Sequence, residues 1–515
     1  RRSKVTDLMT RGFGYDPNSL TTKPLVFPEG STQIDNAEFE QYSKSFTEDR
    51  FLSVYMTGSY TYNNRYTFFG SLRYDGSNMF GVDRKYKYLP LWAVSGAWNI
   101  NREAFLSDAD WLSDLKLRAS YGVQGNVDKD TSPLVVGEWD NTQVLPDNSE
   151  SNIIVSSPPN QYLRWEKTTN WNGGLDVAVL GNRIAFTADV YRRVSDDLIG
   201  MRSLPGENGF DYSTMNWAKL TNRGYELSLS TVNVKTKDFR WVMDFNLAHN
   251  KSKINRLNVR DNSYEPSREG YSVGAVFSLK TAGLDENGLQ MFYNKQGEKV
   301  SFNDFFGLEY GYMMGGLIPF LKSNLSAEEY RNLFTYEGTT EPKFTGGWIN
   351  RFYYKNFDLT VSASFVLDQT VQEQPFYNPV QTSPGQNYSR RMSQIWSPDN
   401  TSGKYPRIMG TYTEGEENWA YQWLGMLDPG NSYRKYDYWF KKMSYMRINS
   451  IRLGYTFPER LLGHIGFSSA RISFEARNPF VFGSSYKGYF DPETYGNIYT
   501  QPLAKTFSCG IDLTF

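Results

Sequence analysis

Apolar and polar residues alternate with a period of two along most of this chain, the pattern of strands whose two faces meet different surroundings. In "FDLTVSASFVLD", Phe357, Leu359, Val361, Ala363, Phe365 and Leu367 share one face, and Asp358, Thr360, Ser362 and Ser364 share the other. In "FRWVMDFNLAHN", Phe239, Trp241, Met243, Phe245 and Leu247 oppose Arg240, Asp244 and Asn246. Ile184, Phe186, Ala188 and Val190 oppose Thr187 and Asp189, and Leu115, Leu117, Ala119 and Tyr121 oppose Lys116, Arg118 and Ser120. The sequence closes on the most regular case, "FSCGIDLTF", where Phe507, Cys509, Ile511, Leu513 and Phe515 alternate with Ser508, Gly510, Asp512 and Thr514. These segments run to about ten residues, longer than the usual strand of five or six. About 9 to 11 residues of tilted strand cross a bilayer, with apolar residues outward and polar ones toward a lumen. A soluble sandwich or propeller alternates as well, so the connections must separate the two.

Outer-membrane barrels alternate short turns on one side with long loops on the other. Gly181-Asn182, Asn63-Asn64, Lys355-Asn356 and the "KTKD" at 235 to 238 are tight connections, and long polar stretches lie between them near 124 to 167, 194 to 222, 369 to 444 and 483 to 502. With the short turns placed in the periplasm, the strands from residue 54 run down, up, down, roughly fifteen in all if one poorly patterned strand lies between 284 and 345. The strand at "VYMTGSYTY" and the last strand both run down, so Phe515 is expected at the periplasmic rim. A single-chain barrel with an even strand count and periplasmic termini cannot begin on such a strand. Residues 1–50 are therefore expected to be an extracellular loop segment at a chain break, and 51–515 the C-terminal part of a longer transmembrane antiparallel β-barrel with long extracellular loops.

Composition agrees with an all-β chain. Aromatic residues make up 16%, with 37 Tyr, 34 Phe and 13 Trp among the 515 residues. Such residues favour pleated structure. Mean hydropathy is −0.58. The longest apolar run, "MMGGLIPFL" at 313 to 321, falls far short of the roughly 18 residues a membrane helix needs. A formal net charge of −1 gives no electrostatic case for nucleic acid. Cys509 is the one cysteine, so no intrachain disulfide can form, and His249 and His464 are too few for a His-based zinc site or triad.

The ordered blocks "YTFFGSLRYDGSNMFGVDRKYKYLPLWAVSGAWNINREAFL", "WLSDLKLRASYGVQGN", "NQYLRWEKTTNWNGGLDVAVLGNRIAFTADVYRRVSDDLI", "LTNRGYELSLSTVNVKTKDFRWVMDFNLAHNKSKI", "EPKFTGGWINRFYYKNFDLTVSASF", "YDYWFKKMSYMRINSIRLGYTFPERLL" and "EARNPFVF…YKGYFDPE" resemble the barrel of SusC/RagA-type TonB-dependent transporters of Gram-negative outer membranes. The resemblance runs from about residue 50 to 515. It implies a barrel of about 22 strands, an N-terminal plug domain and a TonB-contacting segment, of which this sequence contains the barrel strands alone. About seven strands would then belong to an N-terminal part of the same barrel, supplied by a separate chain or lost from this one. The partners implied are a SusD-like surface lipoprotein capping the loops, the TonB-ExbB-ExbD complex acting through the plug, outer-membrane lipid, and an oligosaccharide or peptide as cargo. Import of oligosaccharides is the preferred expectation, peptides the nearer alternative, and a soluble secreted β-rich binding module the distant one.

No catalytic, cofactor or metal arrangement stands out. "DENG" at 285 to 288 has its glycine too early for an EF-hand loop and reads as a turn. "GFG" at 12 to 14 is too short for a dinucleotide fingerprint. Asp196-Asp197 and Glu416-Glu417 read as solvated loop charge. The candidates for substrate contact are Trp419, Tyr421, Trp423, Tyr433 and Arg434, within "EGEENWAYQWLGMLDPGNSYRKYDYW". Flat rings can stack on sugar faces while amides and charges bond hydroxyls, and the bland alternative is that these rings pack the loop against itself. Trp92, Trp98 and Trp241 read as girdle or lipid-facing residues. Phe507, Leu513 and Phe515 are expected to serve barrel closure and assembly, with the terminal aromatic resembling an assembly signal.

Overall fold

The computed structural model describes residues 2–19, 21–23, 42–79, 88–129, 131, 133–145, 148–210, 212–258, 261–313, 318–383, 385–410, 415–462, 466–483, 491–494, 501 and 503–515. His464, the centre of the 313–321 run and most of the 484–500 stretch lie outside them. Fourteen strands form one antiparallel sheet in which each strand pairs with the next in sequence. They are β1 (Arg2–Thr10), β2 (Tyr42–Tyr62), β3 (Tyr66–Ser77), β4 (Tyr88–Asn99), β5 (Leu112–Asn126), β6 (Glu166–Val179) and β7 (Ile184–Ser203). The order continues with β8 (Tyr212–Lys235), β9 (Phe239–Arg256), β10 (Phe344–Tyr354), β11 (Phe357–Gln372), β12 (Phe440–Thr456), β13 (Ser469–Phe482) and β14 (Thr506–Thr514).

Register turns the alternation of the sequence into two surfaces. One row of directly opposed residues crosses β4 to β13 as Trp98, Leu117, Leu175, Ala188, Leu227, Leu247, Gly346, Phe365, Met446 and Phe482. The adjacent row, one residue along each strand, reads Asn99, Lys116, Asp176, Thr187, Ser228, Asn246, Gly347, Ser364 and Arg447. Gly346 keeps the apolar row level, because a Cβ there would lie 2.5 Å from the Phe365 ring, which reaches across β10 to stack on Phe245. On the other face, Gly174 leaves room for the Arg118 guanidinium to bridge Asp176, at 2.8 Å, and Asp189, at 3.0 Å. The apolar face stays open, with Met56 71% and Phe68 60% exposed. A surface of that extent belongs against lipid.

The tight turns fall where the sequence places them. Asn63 and Asn64 both take left-handed φ, 49° and 54°, the conformation of a two-residue hairpin that asparagine tolerates. Leu180, Gly181 and Asn182 do the same at the β6–β7 turn. The strand expected between 284 and 345 is corrected: among the described residues no strand of the fourteen-stranded sheet lies between Arg256 and Phe344, only short strands of separate small sheets. Gly283, Gly288 and Gly297, all at positive φ, break that stretch into small hairpins whose apolar side chains bury one another instead of facing lipid. From β2 onward the sheet thus has thirteen strands, beginning and ending in the same direction.

The first fifty residues are not loop throughout. β1 pairs with the first half of β2, from Arg2 opposite Arg50 to Thr10 opposite Tyr42, so the sheet continues beyond the span where β2 meets β3. Asp196 and Asp197 also lie in a strand, β7, where they pair with Lys219 and Arg164. Among the described residues β1 pairs with β2 alone and β14 with β13 alone. On β14 the register puts Phe507, Cys509, Ile511 and Leu513 beside Ala476, Phe474, Ile472 and Ala470, and sets Asp512 opposite Arg471. The Phe507 ring stacks on Phe474 and the Phe515 ring tilts against Phe467.

Candidate functional site

The β9–β10 and β11–β12 connections fold together into a crown on the long-loop side of the sheet. Local signals set its pieces. Ser301 caps helix α1 (Phe302–Phe306), which Gly307 ends in a left-handed conformation. Ser326 and Glu329 form a capping box on α2 (Ala327–Arg331), and those hydrogen bonds hold the Glu329 carboxyl below its usual pKa. Helix α3 (Gly415–Gln422) runs on into a wider turn over Trp423–Leu427.

Rings join these pieces. Phe292 stacks on Phe305 at 4.2 Å and meets Tyr436 edge-on at 5.1 Å, while Trp423 lies 5.5 Å from Phe306. Trp439 is fully buried, stacks on Tyr405 and donates its Nε1–H to the Tyr433 carbonyl at 3.0 Å. The backbone stitches the two loops: the Leu279 N–H donates to the Lys435 carbonyl and the Asp437 N–H to the Leu279 carbonyl. The Tyr330 hydroxyl donates to Asp428 Oδ1 at 2.9 Å. Burial pushes the Tyr330, Tyr377, Tyr433, Tyr436 and Tyr438 hydroxyls above the ordinary tyrosine pKa, because the anion would lose its hydration.

This core changes the reading of the candidate residues. Trp423 and Tyr433, 3% and 6% exposed, are part of it and present no ring face to a ligand, a correction to their expected role. The cause is the apolar area they bury, which exceeds what an exposed stacking platform would keep. Trp419 and Tyr421 are half-buried against the same core, Trp419 edge-on to Tyr310 at 5.0 Å. Arg434 is exposed, and its carbonyl accepts from Gln372. The five do not converge on one cavity.

A cavity of about 360 Å³ lies elsewhere on the crown, lined by Met392, Trp396, Asn400, Arg407 and Ile408 among others. The Arg407 guanidinium sits 5.3 Å from the Trp396 ring, 3.1 Å from Glu417, and donates to the Asn287 carbonyl. Burial raises the Glu417 carboxyl, and Arg407 opposes that shift. Gly288, left-handed at the end of the "DENG" turn, lies flat against the indole, where any Cβ would be 2.3 Å from the ring. Trp396 is itself only 8% exposed, so the cavity presents the Met392 and Ile408 side chains, a guanidinium and a side-chain amide rather than an open ring face. Sequence reasoning missed Trp396 and Arg407, since nothing local ties them to residue 288.

A second missed group is Arg447, 2% exposed on the polar face of β12. It pairs with Asp491 and, at 2.8 Å, with Glu493, so the "DPE" of the β13–β14 connection is pinned against the inner wall. Two further polar-face arginines are paired, Arg351 with Asp244 and Arg471 with Asp358.

Residues 4–313 match the family model "TonB dependent receptor-like, beta-barrel". The chain is 28% identical over 507 residues to TonB-dependent receptor P3 of Formosa agariphila, covering 92% of this chain and 46% of that protein. It is 28% identical over 495 residues to TonB-dependent receptor SusC of Bacteroides thetaiotaomicron, covering 93% and 45%. Its fold is similar to that of the RagAB peptide transporter, with a TM-score of 0.73, 22% identity, all of this chain and 52% of that one. The chain thus spans about half the length of the proteins it matches.

Proposed function

This chain belongs to the TonB-dependent receptor-like β-barrel family and is an outer-membrane protein, and from that premise we propose that it supplies wall and loop crown to a SusC/RagA-type importer of oligosaccharides. The observation that carries the reading is the pair of adjacent rows across β4 to β12, apolar on one side and polar on the other. Such a sheet makes a wall with lipid outside and a wet path inside. The edges at β1 and β14 would pair with the rest of a longer barrel, since an unpaired edge in lipid leaves backbone groups unsatisfied. Relatives about twice as long support that step.

Cargo would meet the crown first. The cavity beside Trp396 offers the Asn400 amide and the Arg407 guanidinium to sugar hydroxyls, and the Met392 and Ile408 side chains to a pyranose face. Trp419, Tyr421 and Arg434 remain candidate contacts on the same crown. A SusD-like lipoprotein would cap the loops, and TonB-ExbB-ExbD would drive release through the plug. The test is mass spectrometry of what leaves the intact complex when it is purified in mild detergent and then denatured. Ladders spaced by one sugar residue are the expected result. Ladders spaced by amino-acid residues would overturn the oligosaccharide reading in favour of peptides, the cargo of the RagAB transporter.

A further inference from the structure

Cations stand on both faces of the sheet. On the polar face Arg118, Arg351, Arg447 and Arg471 are each met by a carboxylate. On the apolar face three cations stand abreast: Arg192 of β7 is opposite Arg223 of β8, which is opposite Lys251 of β9. All three are exposed, and among the described residues no carboxylate forms an ion pair with any of them. Like charges directly opposite one another across strands are destabilising. The row therefore calls for an anion from outside the chain.

Its height fixes which anion. Lys251 lies ten residues along β9 from Trp241, whose ring stacks on Phe352 near the short-turn rim. At about 3.3 Å per residue and a tilt near 40°, that is a rise of about 25 Å, the height of the apolar band of an outer-membrane barrel. Interfacial rings mark the same level. Trp171 is opposite Arg192 in register, and one row toward the membrane Tyr225, His249 and Phe344 lie in sequence, each 5.2 Å from the next. The cations thus sit where lipid headgroups begin.

A cleft of about 1090 Å³ opens there. It exists because β9 pairs with β10 only as far as Ala248 opposite Thr345, so the upper half of β9 parts from its neighbour. Arg192, Arg223, Lys251, Lys253, Lys343 and Lys442 line it, against three carboxylates. Two of those are already engaged, Glu337 by Lys280 and Glu341 by Ser252. We propose that this outward basic cleft binds the phosphate groups of a phosphorylated glycolipid of the outer leaflet. The Arg192 and Arg223 guanidiniums would grip phosphate in paired hydrogen bonds, Lys251 would add a point charge, and Trp171 and Tyr225 would pack at the acyl boundary. The site lies at the middle of the sheet, remote from both edges, and rests on the barrel reading only for which face meets lipid.

The intact barrel protein, freed of lipid in detergent, is titrated with diphosphoryl lipid A, with the same lipid after phosphatase treatment, and with inorganic phosphate, following bound lipid by native mass spectrometry. The diphosphoryl form should bind at least ~10-fold more tightly than the dephosphorylated one, and the triple variant Arg192→Gln, Arg223→Gln, Lys251→Gln should lose that preference. Lys237→Gln, at a short turn on the opposite rim, should keep it. Equal binding of both lipids by the wild type would overturn the proposal whether or not the triple variant folds. So would an equal loss in the Lys237 variant, or displacement of the lipid by low-millimolar inorganic phosphate, which would make the ligand a free anion. Loss of heat-modifiable migration in the wild type would instead count against the barrel itself.

Discussion

The wall and the crown solve the same problem in opposite ways. The wall has no interior: Met56 and Phe68 stay mostly exposed, and the sheet holds together through ladder hydrogen bonds and cross-strand pairs. The crown, made of the connections between those strands, has an ordinary aromatic core in which Phe292, Phe306 and Trp439 are fully buried. One region depends on its solvent and the other on itself. It follows that each should be able to unfold while the other stays folded.

The largest expected effect is in the crown. Trp439→Ala removes a fully buried indole and the hydrogen bond to Tyr433, a loss of about 3–5 kcal/mol. An added protease should then cut within 373–439 while the barrel still migrates as a folded, heat-modifiable band. A band that unfolds along with the crown would break the comparison, because the two regions would then be one cooperative unit.

The wall gives the next largest effect. Leu247→Arg puts a charge in the middle of the apolar row, at a cost of about 2–4 kcal/mol, whereas Asn246→Arg on the polar row should change little. Urea titration of folding into lipid vesicles measures both. Equal costs at the two positions would mean that the faces are not lipid and lumen.

The same contrast explains what could be read from the sequence. Period two is local, so the faces of Phe357 to Leu367 and of Phe239 to Leu247, and the turn at Asn63-Asn64, were legible. The crown was not, because its contacts are distant: Thr281 donates to Asp437 across 156 residues, and Gly288 packs on Trp396. No local pattern says that an aromatic in a polar stretch will be buried, so nothing near Trp423 or Tyr433 in the sequence distinguishes a core ring from a presented one. The basic row was hidden for a related reason. Arg192, Arg223 and Lys251 meet only through the register, and a near-zero net charge conceals them.

The smallest effect sharpens the comparison through pH. Asp428 receives the Tyr330 hydroxyl together with the backbone N–H groups of Gly430 and Ser432, so Tyr330→Phe should loosen the crown by about 1.5 kcal/mol near neutral pH. Burial raises the Tyr330 pKa, so the folded crown favours the neutral phenol. That contribution is fully present below the unfolded value of about 10 and falls by about 1.4 kcal/mol per pH unit above it, until the folded pKa is reached. The gap in protease resistance between wild type and Tyr330→Phe should therefore be widest at pH 8 and close as the pH passes 10, with heat-modifiable migration unchanged over the same range. A gap that widened with pH would mean that Tyr330 ionises more readily in the crown than in the unfolded chain, and so that the crown lacks the dry interior that sets it apart from the wall.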